Sequence, residues 1–358
     1  MNSTVAPPEI PTNSAANWKK LVAGYRKPST PKASLQIINT ILAYIVTWIV
    51  MYHALTISWW LVVPLIVLGG GLLIRVFIIF HDCGHGSFFK SRKANDILGF
   101  VCGILTFTPY MHWRWEHAIH HASSGDLDRR GVGDIWTMTL AEYIAAPKRT
   151  QVLYRIARNP IVMFLIAPVL MLVVYQRFPD RNAKPREKRS VWLMNLAILV
   201  IYSGVAWWFG VWNFLIIQAA ISMIGGGAGV WLFYVQHQFE DVVWERKEGW
   251  EFAVAAMEGS SYYKLPRILQ WFSGNIGFHH IHHLSPQIPN YHLQACHESH
   301  PFFDSVPPVT LWQSLKTIHL KLWDEENRRL VGFPAVHEIE AMRTQSRSHP
   351  HQGSVLDA

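Results

Sequence analysis

Two long windows of this chain contain no lysine or arginine, residues 33–74 and 190–245. Each window holds two apolar stretches of membrane length: 35–55 and 58–80 in the first, 191–209 and 212–235 in the second. Crossing a bilayer takes about 20 apolar residues. All four segments qualify, each nearly free of charge, and are read as membrane-spanning helices. The composition agrees: 358 residues, 50% hydrophobic, 16% charged and 17 tryptophans. A soluble domain is rarely so apolar.

The fold class that follows is all-α and polytopic, with four transmembrane helices, six being the alternative. Cationic residues stud everything outside the two windows, and the positive-inside rule assigns those parts to the cytoplasm. Two shorter apolar runs, 97–111 and 161–178, therefore begin and end on the cytoplasmic side, the second lying in the interface or re-entering. Arg75, near the end of the second span, is expected to snorkel to the interface. Residues 1–17 read as a disordered tail, 18–335 as one membrane domain and 346–358 as a flexible tail. No apolar leader precedes the first span, which is expected to act as the targeting element. Over 309–345 the recurrence of Leu311, Leu315, Ile318 and Leu322 predicts a cytoplasmic helix. The glycine runs at 69–71 and 225–227 allow close helix packing or, alternatively, a groove for a chain-like ligand. Three scattered cysteines at 83, 102 and 296 imply neither a disulfide nor a thiolate metal site.

Histidines gather beside these apolar segments. They read His81-Asp-Cys-Gly-His85, His117-Ala-Ile-His120-His121 and His279-His-Ile-His282-His283. His237 follows the last apolar stretch by two residues. Residues three or four apart share a helix face, so each HxxxH or HxxHH group should present its imidazoles together. Neutral imidazole is a good ligand for iron, copper and zinc. Three groups and His237 supply nine ligands, enough for two ions at about four or five each. A cytoplasmic helical cap is thus expected to hold a histidine-ligated two-metal centre at the bilayer edge. A nitrogen-rich pair of ions with room for an exogenous ligand points to redox iron, ahead of copper or zinc. His280 falls off the shared face. His112, His292, His297, His300 and His319 lack the spacing, and His349 and His351 sit in the polar tail; all are read as non-ligands. With an even number of spans, every ligand lands on one side of the membrane.

A metal centre there suits a substrate that lives in the bilayer. Acyl chains are inert, and breaking their C–H bonds calls for a metal–oxygen oxidant. A transporter would place its polar groups near the midplane, and a haem subunit needs axial histidines inside the spans, where only His53 lies. The boxes HDCGH, HAIHH and HHIHH, with YVQHQFED around His237, resemble the membrane fatty-acid desaturases. GDLDRRGVGDIW, EGSSYYKLP and HHLSPQIPNYHL agree as well, and the resemblance covers roughly residues 20–335. It is nearest the bacterial acyl-lipid Δ5 phospholipid desaturase type and more distant from the Δ12 acyl-lipid enzymes.

The resemblance implies two non-haem irons, O2 as co-substrate and acyl chains esterified in membrane lipids. Carried over by position, the metal ligands are His81, His85, His117, His120, His121, His279, His282 and His283, with His237 as the extra histidine. Asp82, Asp126 and Asp134 are expected to orient imidazoles, or alternatively to pair with Arg129 and Arg130 or contact lipid headgroups. Phe233 stands where acyl-CoA desaturases carry an asparagine, which disfavours an acyl-CoA substrate. No HPGG haem motif is present, so electrons are expected from a separate donor, ferredoxin or flavodoxin, with the active site facing the cytoplasm of a bacterial inner membrane. A hydroxylase or ketolase on the same scaffold is the alternative. The net charge of +8 is read first as positive-inside bias; attraction to anionic headgroups or an acidic electron carrier is the second reading. No nucleic-acid partner is expected, and the oligomeric state is not legible.

Overall fold

The computed structural model describes residues 18–336; the proposed tails 1–17 and 346–358 lie outside them. Among the described residues four helices are long and apolar enough to cross a membrane: Thr30–Leu55, Trp59–His85, Pro185–Phe209 and Val211–His237. At about 1.5 Å per residue, the 27-residue helices reach about 40 Å, past a hydrocarbon core of about 30 Å. Their outer faces stay apolar and exposed, as at Val67, Leu199, Trp207 and Trp212. Such surface is compatible with lipid as solvent and would be a liability in water.

The helix ends place the histidines. Ser58 caps the second span by accepting from the Trp60 amide. Gly86, at φ +70°, stops it in the left-handed conformation that glycine adopts without steric cost. His81 and His85 therefore occupy its last turn. Gly210, at φ +84°, turns the third span directly into the fourth, which ends on His237.

The glycine runs serve close packing. A Cβ on Gly70 would lie 2.5 Å from Ile224 Cγ2, and one on Gly225 would lie 3.0 Å from the Gly70 carbonyl oxygen. Spans two and four thus approach backbone to backbone, which fixes the spacing between the helix ends that carry the first box and His237. On the far side of the fourth span, Gly227 sits against the Phe164 carbonyl.

The segment 161–178 belongs to a broken pair, Lys148–Ala157 and Val162–Arg177, bent by 61°. The helix Arg92–Leu105, 14 residues long, is too short to span. His121 precedes the bent pair and two spans, and His282 follows them, yet the two imidazoles touch. An even number of crossings must separate them. The bent pair accordingly returns to the side it came from.

The cap on the histidine side is helical, with small strand additions. Strands β1 (Met138–Thr139), β4 (Leu322–Asp324) and β5 (Arg329–Val331) form a sheet in the order β1-β4-β5, and β2 (Tyr262–Lys264) pairs in parallel with β3 (Pro308–Thr310). Over residues 309–336 this corrects the helix expected for 309–345; residues 337–345 lie outside the described ones. A helix does start, capped by the Thr310–Gln313 box, but it ends at Lys316. Asp324 then accepts from the amides of Glu326 and Asn327 and folds a turn that sends β5 back along β4. The recurrence holds only for the first turns; Leu322 is buried on a strand.

Arg75 is a second correction. It does not snorkel but is 8% exposed, donating to Thr40 Oγ1 at 3.0 Å and to the Trp271 carbonyl while stacking over the Trp271 ring at 4.1 Å. Partners from the first span and from the cap satisfy the guanidinium where it stands, so it has no need to reach water.

Candidate metal centre

Four segments bring the nine histidines together. The last turn of span two carries His81 and His85. The helix Tyr110–Ser123 carries His117, His120 and His121. Span four ends on His237, and the short helix His279–Leu284 carries His279, His282 and His283. This last helix is fully buried, its Ile281 and Leu284 in one cluster with Ile276, Phe278, Ile288 and Leu293.

The imidazoles sort into two groups. His81, His85, His117, His121 and His282 form one; His120, His237, His279 and His283 form the other. Within each group one ring nitrogen per histidine lies within 4.8 Å of all the rest. The shared-face expectation is thereby refined. In each HxxHH box the i, i+4 pair goes to one group and the remaining histidine to the other. His117 and His121 join the five, leaving His120 to the four. His279 and His283 join the four, leaving His282 to the five.

The donor set fits metal ions. His117 and His121 approach Nε2 to Nε2 at 3.1 Å, His121 and His282 at 3.0 Å, and His237 and His279 at 3.0 Å. Nitrogen ligands lie about 2.1 Å from an ion such as zinc, so two at right angles stand about 3.0 Å apart. The Nε2 atoms of His85, His120 and His283 are buried without a hydrogen-bond partner, which is costly unless a cation takes them. Burial, followed by the mutual repulsion of neighbouring imidazoles, pushes the pKa values of His117, His121, His279, His282 and His283 well below the usual histidine range. They are neutral at pH 7, the form that binds metal.

Carboxylates and carbonyls fix ring orientation in both groups. His81 Nδ1 bonds Asp82 Oδ1 at 3.0 Å, and Asp82 Oδ2 accepts from the Asn290 amide and side chain at 2.6 and 2.8 Å. Gln36 in the first span in turn donates to Asn290 Oδ1. His120 Nδ1 meets Asp134 Oδ1 at 2.5 Å, and His237 Nδ1 faces the Gly259 carbonyl at 3.3 Å. Asp126 does not join them. Its carboxylate accepts from the Asp128 and Arg129 amides and pairs with the Arg129 guanidinium, closing a turn. The need of that turn for a buried acceptor wins over any imidazole.

Two aromatic residues frame the centre. Trp113 stacks on His117, with ring centroids 4.4 Å apart and planes at 19°. Phe233 packs on His120 and His237, at 5.1 and 5.0 Å. Beside the four-histidine group lies a cleft of about 10 Å³, the room of one water, lined by Asp134, Ile135, Phe233, His237, Gln238 and Trp244 among others. Sequence reasoning missed Asn290, Gln36 and Trp113, none of which carries a spacing signal. His280 points away, towards Tyr262 and His297. His112 accepts from the Asp180 amide, and His300 caps the Phe302 amide. Of these and His292, His297 and His319, none joins either group among the described residues.

The fatty acid desaturase family model matches residues 57–310, from the start of span two to the end of β3. The chain belongs to the fatty acid desaturase family. It is similar to a fatty acid desaturase of Bacillus subtilis, at 46% identity over 89% of this chain and 91% of the relative. More distant are the sn-1 oleoyl-lipid 12-desaturase of Anabaena variabilis, at 28% over 69% of this chain and 71% of the relative, and the sn-1 acyl-lipid omega-3 desaturase (ferredoxin) of Synechocystis sp., at 26% over 68% of each. This desaturase is therefore an oxidoreductase with acyl-lipid desaturases among its relatives.

Proposed function

We propose that this desaturase introduces a cis double bond, of Δ5 or Δ12 type, into acyl chains esterified in membrane lipids, using O2 and a two-iron centre held by the nine histidines. The observation that carries the reading is the pair of buried histidine groups at the ends of apolar helices. The balance is one CH2–CH2 unit, O2, two electrons and two protons giving CH=CH and two waters. Two irons would supply the O2 activation that no side chain offers.

The chain's own residues do the rest. Burial holds His117, His121, His279, His282 and His283 in the neutral form that would bind metal. Asp82 and Asp134 accept the Nδ1 protons of His81 and His120, so the Nε2 atoms stay free as donors to metal. Trp113 covers His117, and Phe233 and Ile135 help narrow the cleft beside the four-histidine group to the room of one water. The two electrons come from a separate donor, ferredoxin or flavodoxin; the name of the Synechocystis relative supports the former. The active site faces the cytoplasm of a bacterial inner membrane, in keeping with the cationic residues that flank the spans.

The test is expression in a bacterial host with a ferredoxin donor, followed by gas chromatography–mass spectrometry of the lipid fatty acids. His120→Ala and His282→Ala serve as inactive controls. A new double bond in the unsubstituted chain alone is expected. A hydroxylated or keto product would overturn the desaturation assignment while keeping the scaffold. Purified protein without bound iron would overturn the metal assignment.

A further inference from the structure

Strands β2 and β3 run in parallel, and each leads within two residues into a short helix, Arg267–Phe272 and Leu311–Lys316. Both helices keep large apolar side chains on the outside. Ile268 is 72% exposed and Trp312 78%, with Leu269, Trp271 and Leu315 beside them. Lys264 on β2, Arg267 on the first helix and Lys316 on the second are exposed as well. Within the cap, this patch has no evident purpose.

Its depth gives it one. The Trp271 carbonyl and ring are held by Arg75, six residues before His81 on span two. Ser314 is tied through the Tyr263 hydroxyl to Trp231, six residues before His237 on span four; the two links measure 2.9 and 3.3 Å. At about 1.5 Å per residue, both attachments sit about 9 Å below the histidine level of their spans. Phe272 reaches further, so that a Cβ on Gly71 would touch its ring at 2.9 Å. Two independent anchors thus fix both helices alongside the spans rather than above them. An interfacial helix buries its apolar face about 5–10 Å into the boundary of headgroups and acyl chains. Tryptophan and cationic side chains are the residues that settle at that level.

We propose that the helices Arg267–Phe272 and Leu311–Lys316 form a paired wedge in the cytoplasmic leaflet of a phospholipid bilayer. Ile268, Leu269, Trp271, Trp312 and Leu315 lie among the acyl chains, and Lys264, Arg267 and Lys316 lie against the phosphates. The wedge holds the histidine centre at the height of the leaflet, where a lipid-borne chain can reach it. The inference rests on the membrane reading of the four long helices and adds a second, monotopic attachment.

The experiment places an environment-sensitive fluorophore on Ile268→Cys and, separately, on Trp312→Cys, with the otherwise unchanged chain in phosphatidylcholine–phosphatidylglycerol vesicles. The three native cysteines are fully buried, and the unsubstituted chain gives the labelling blank. Val67→Cys, on the outer face of span two, reports the membrane reading itself, and Glu325→Cys reports water. Quenching of the 268 and 312 probes by lipids brominated on the acyl chain, comparable to that at 67, together with protection from aqueous iodide, is expected. Iodide quenching without bromolipid quenching at 268 and 312, while 67 still reports lipid, would overturn the wedge and leave the spans intact. Failure of 67 as well would overturn the membrane reading and the wedge with it.

Discussion

The two histidine groups are assembled from the same boxes, yet they are unequal. The five-histidine group draws on span two and both HxxHH helices. Its His81 is braced by Asp82, which Asn290 holds in turn, and Trp113 covers one face. The four-histidine group has one ligand fewer, a short contact from His120 to Asp134, and the cleft beside Phe233. Each HxxHH box feeds both groups, so a shift of either box helix moves both, whereas the loss of a single histidine falls on one. The difference lies in what stands beside the rings: the four-histidine group borders a cleft lined by Asp134, Gln238 and Ser124 as well as Phe233, Ile135 and Trp244.

The largest effects should come from deleting ligands. His282→Ala and His120→Ala each should abolish product formation. They should differ in residual metal, His282→Ala depleting the five-histidine position and His120→Ala the four-histidine one. Metal analysis with X-ray absorption distinguishes the two, and identical spectra in both variants would break the partition. Next come the bracing carboxylates. Asp134→Asn and Asp82→Asn are each expected to cost about 10–100-fold in metal affinity or activity, read by competition with a chelator. Asp134→Asn should act on the four-histidine site first.

A scaffold change should treat both groups alike. Gly70→Val forces methyl groups into Ile224 at the contact of spans two and four. Overpacking of this kind typically costs about 1–3 kcal/mol. A lower Tm with equal loss of both metals is expected in detergent; selective loss of one would place the span contact inside one group. The smallest effect on metal should be that of Asp126→Asn. That carboxylate serves a turn and Arg129, so metal content should stay at the unsubstituted level. A fall would mean that Asp126 supports an imidazole after all.

Much of this architecture was legible in the chain. Hydropathy marks a span locally, so the four long helices follow from composition and length. The box spacing marks the histidines because three- and four-residue separations fix a helix face. The partition into five and four was not legible. It depends on the angles at which the helices Tyr110–Ser123 and His279–Leu284 approach two span ends, and no local pattern encodes those angles. Asn290 and Gln36 were invisible for a similar reason: they meet across 254 residues and form no motif. Strands of two and three residues have no period to detect, which is why the segment after Lys316 read as helix. Asp126 and Asp134 looked alike in sequence; only the turn that consumes the first carboxylate separates them.

The most direct test of the central claim is Mössbauer spectroscopy of the purified protein loaded with iron-57. The account predicts two irons per chain, in equal amounts, giving two distinguishable quadrupole doublets, one for each histidine group. A single iron per chain, or none, would contradict it.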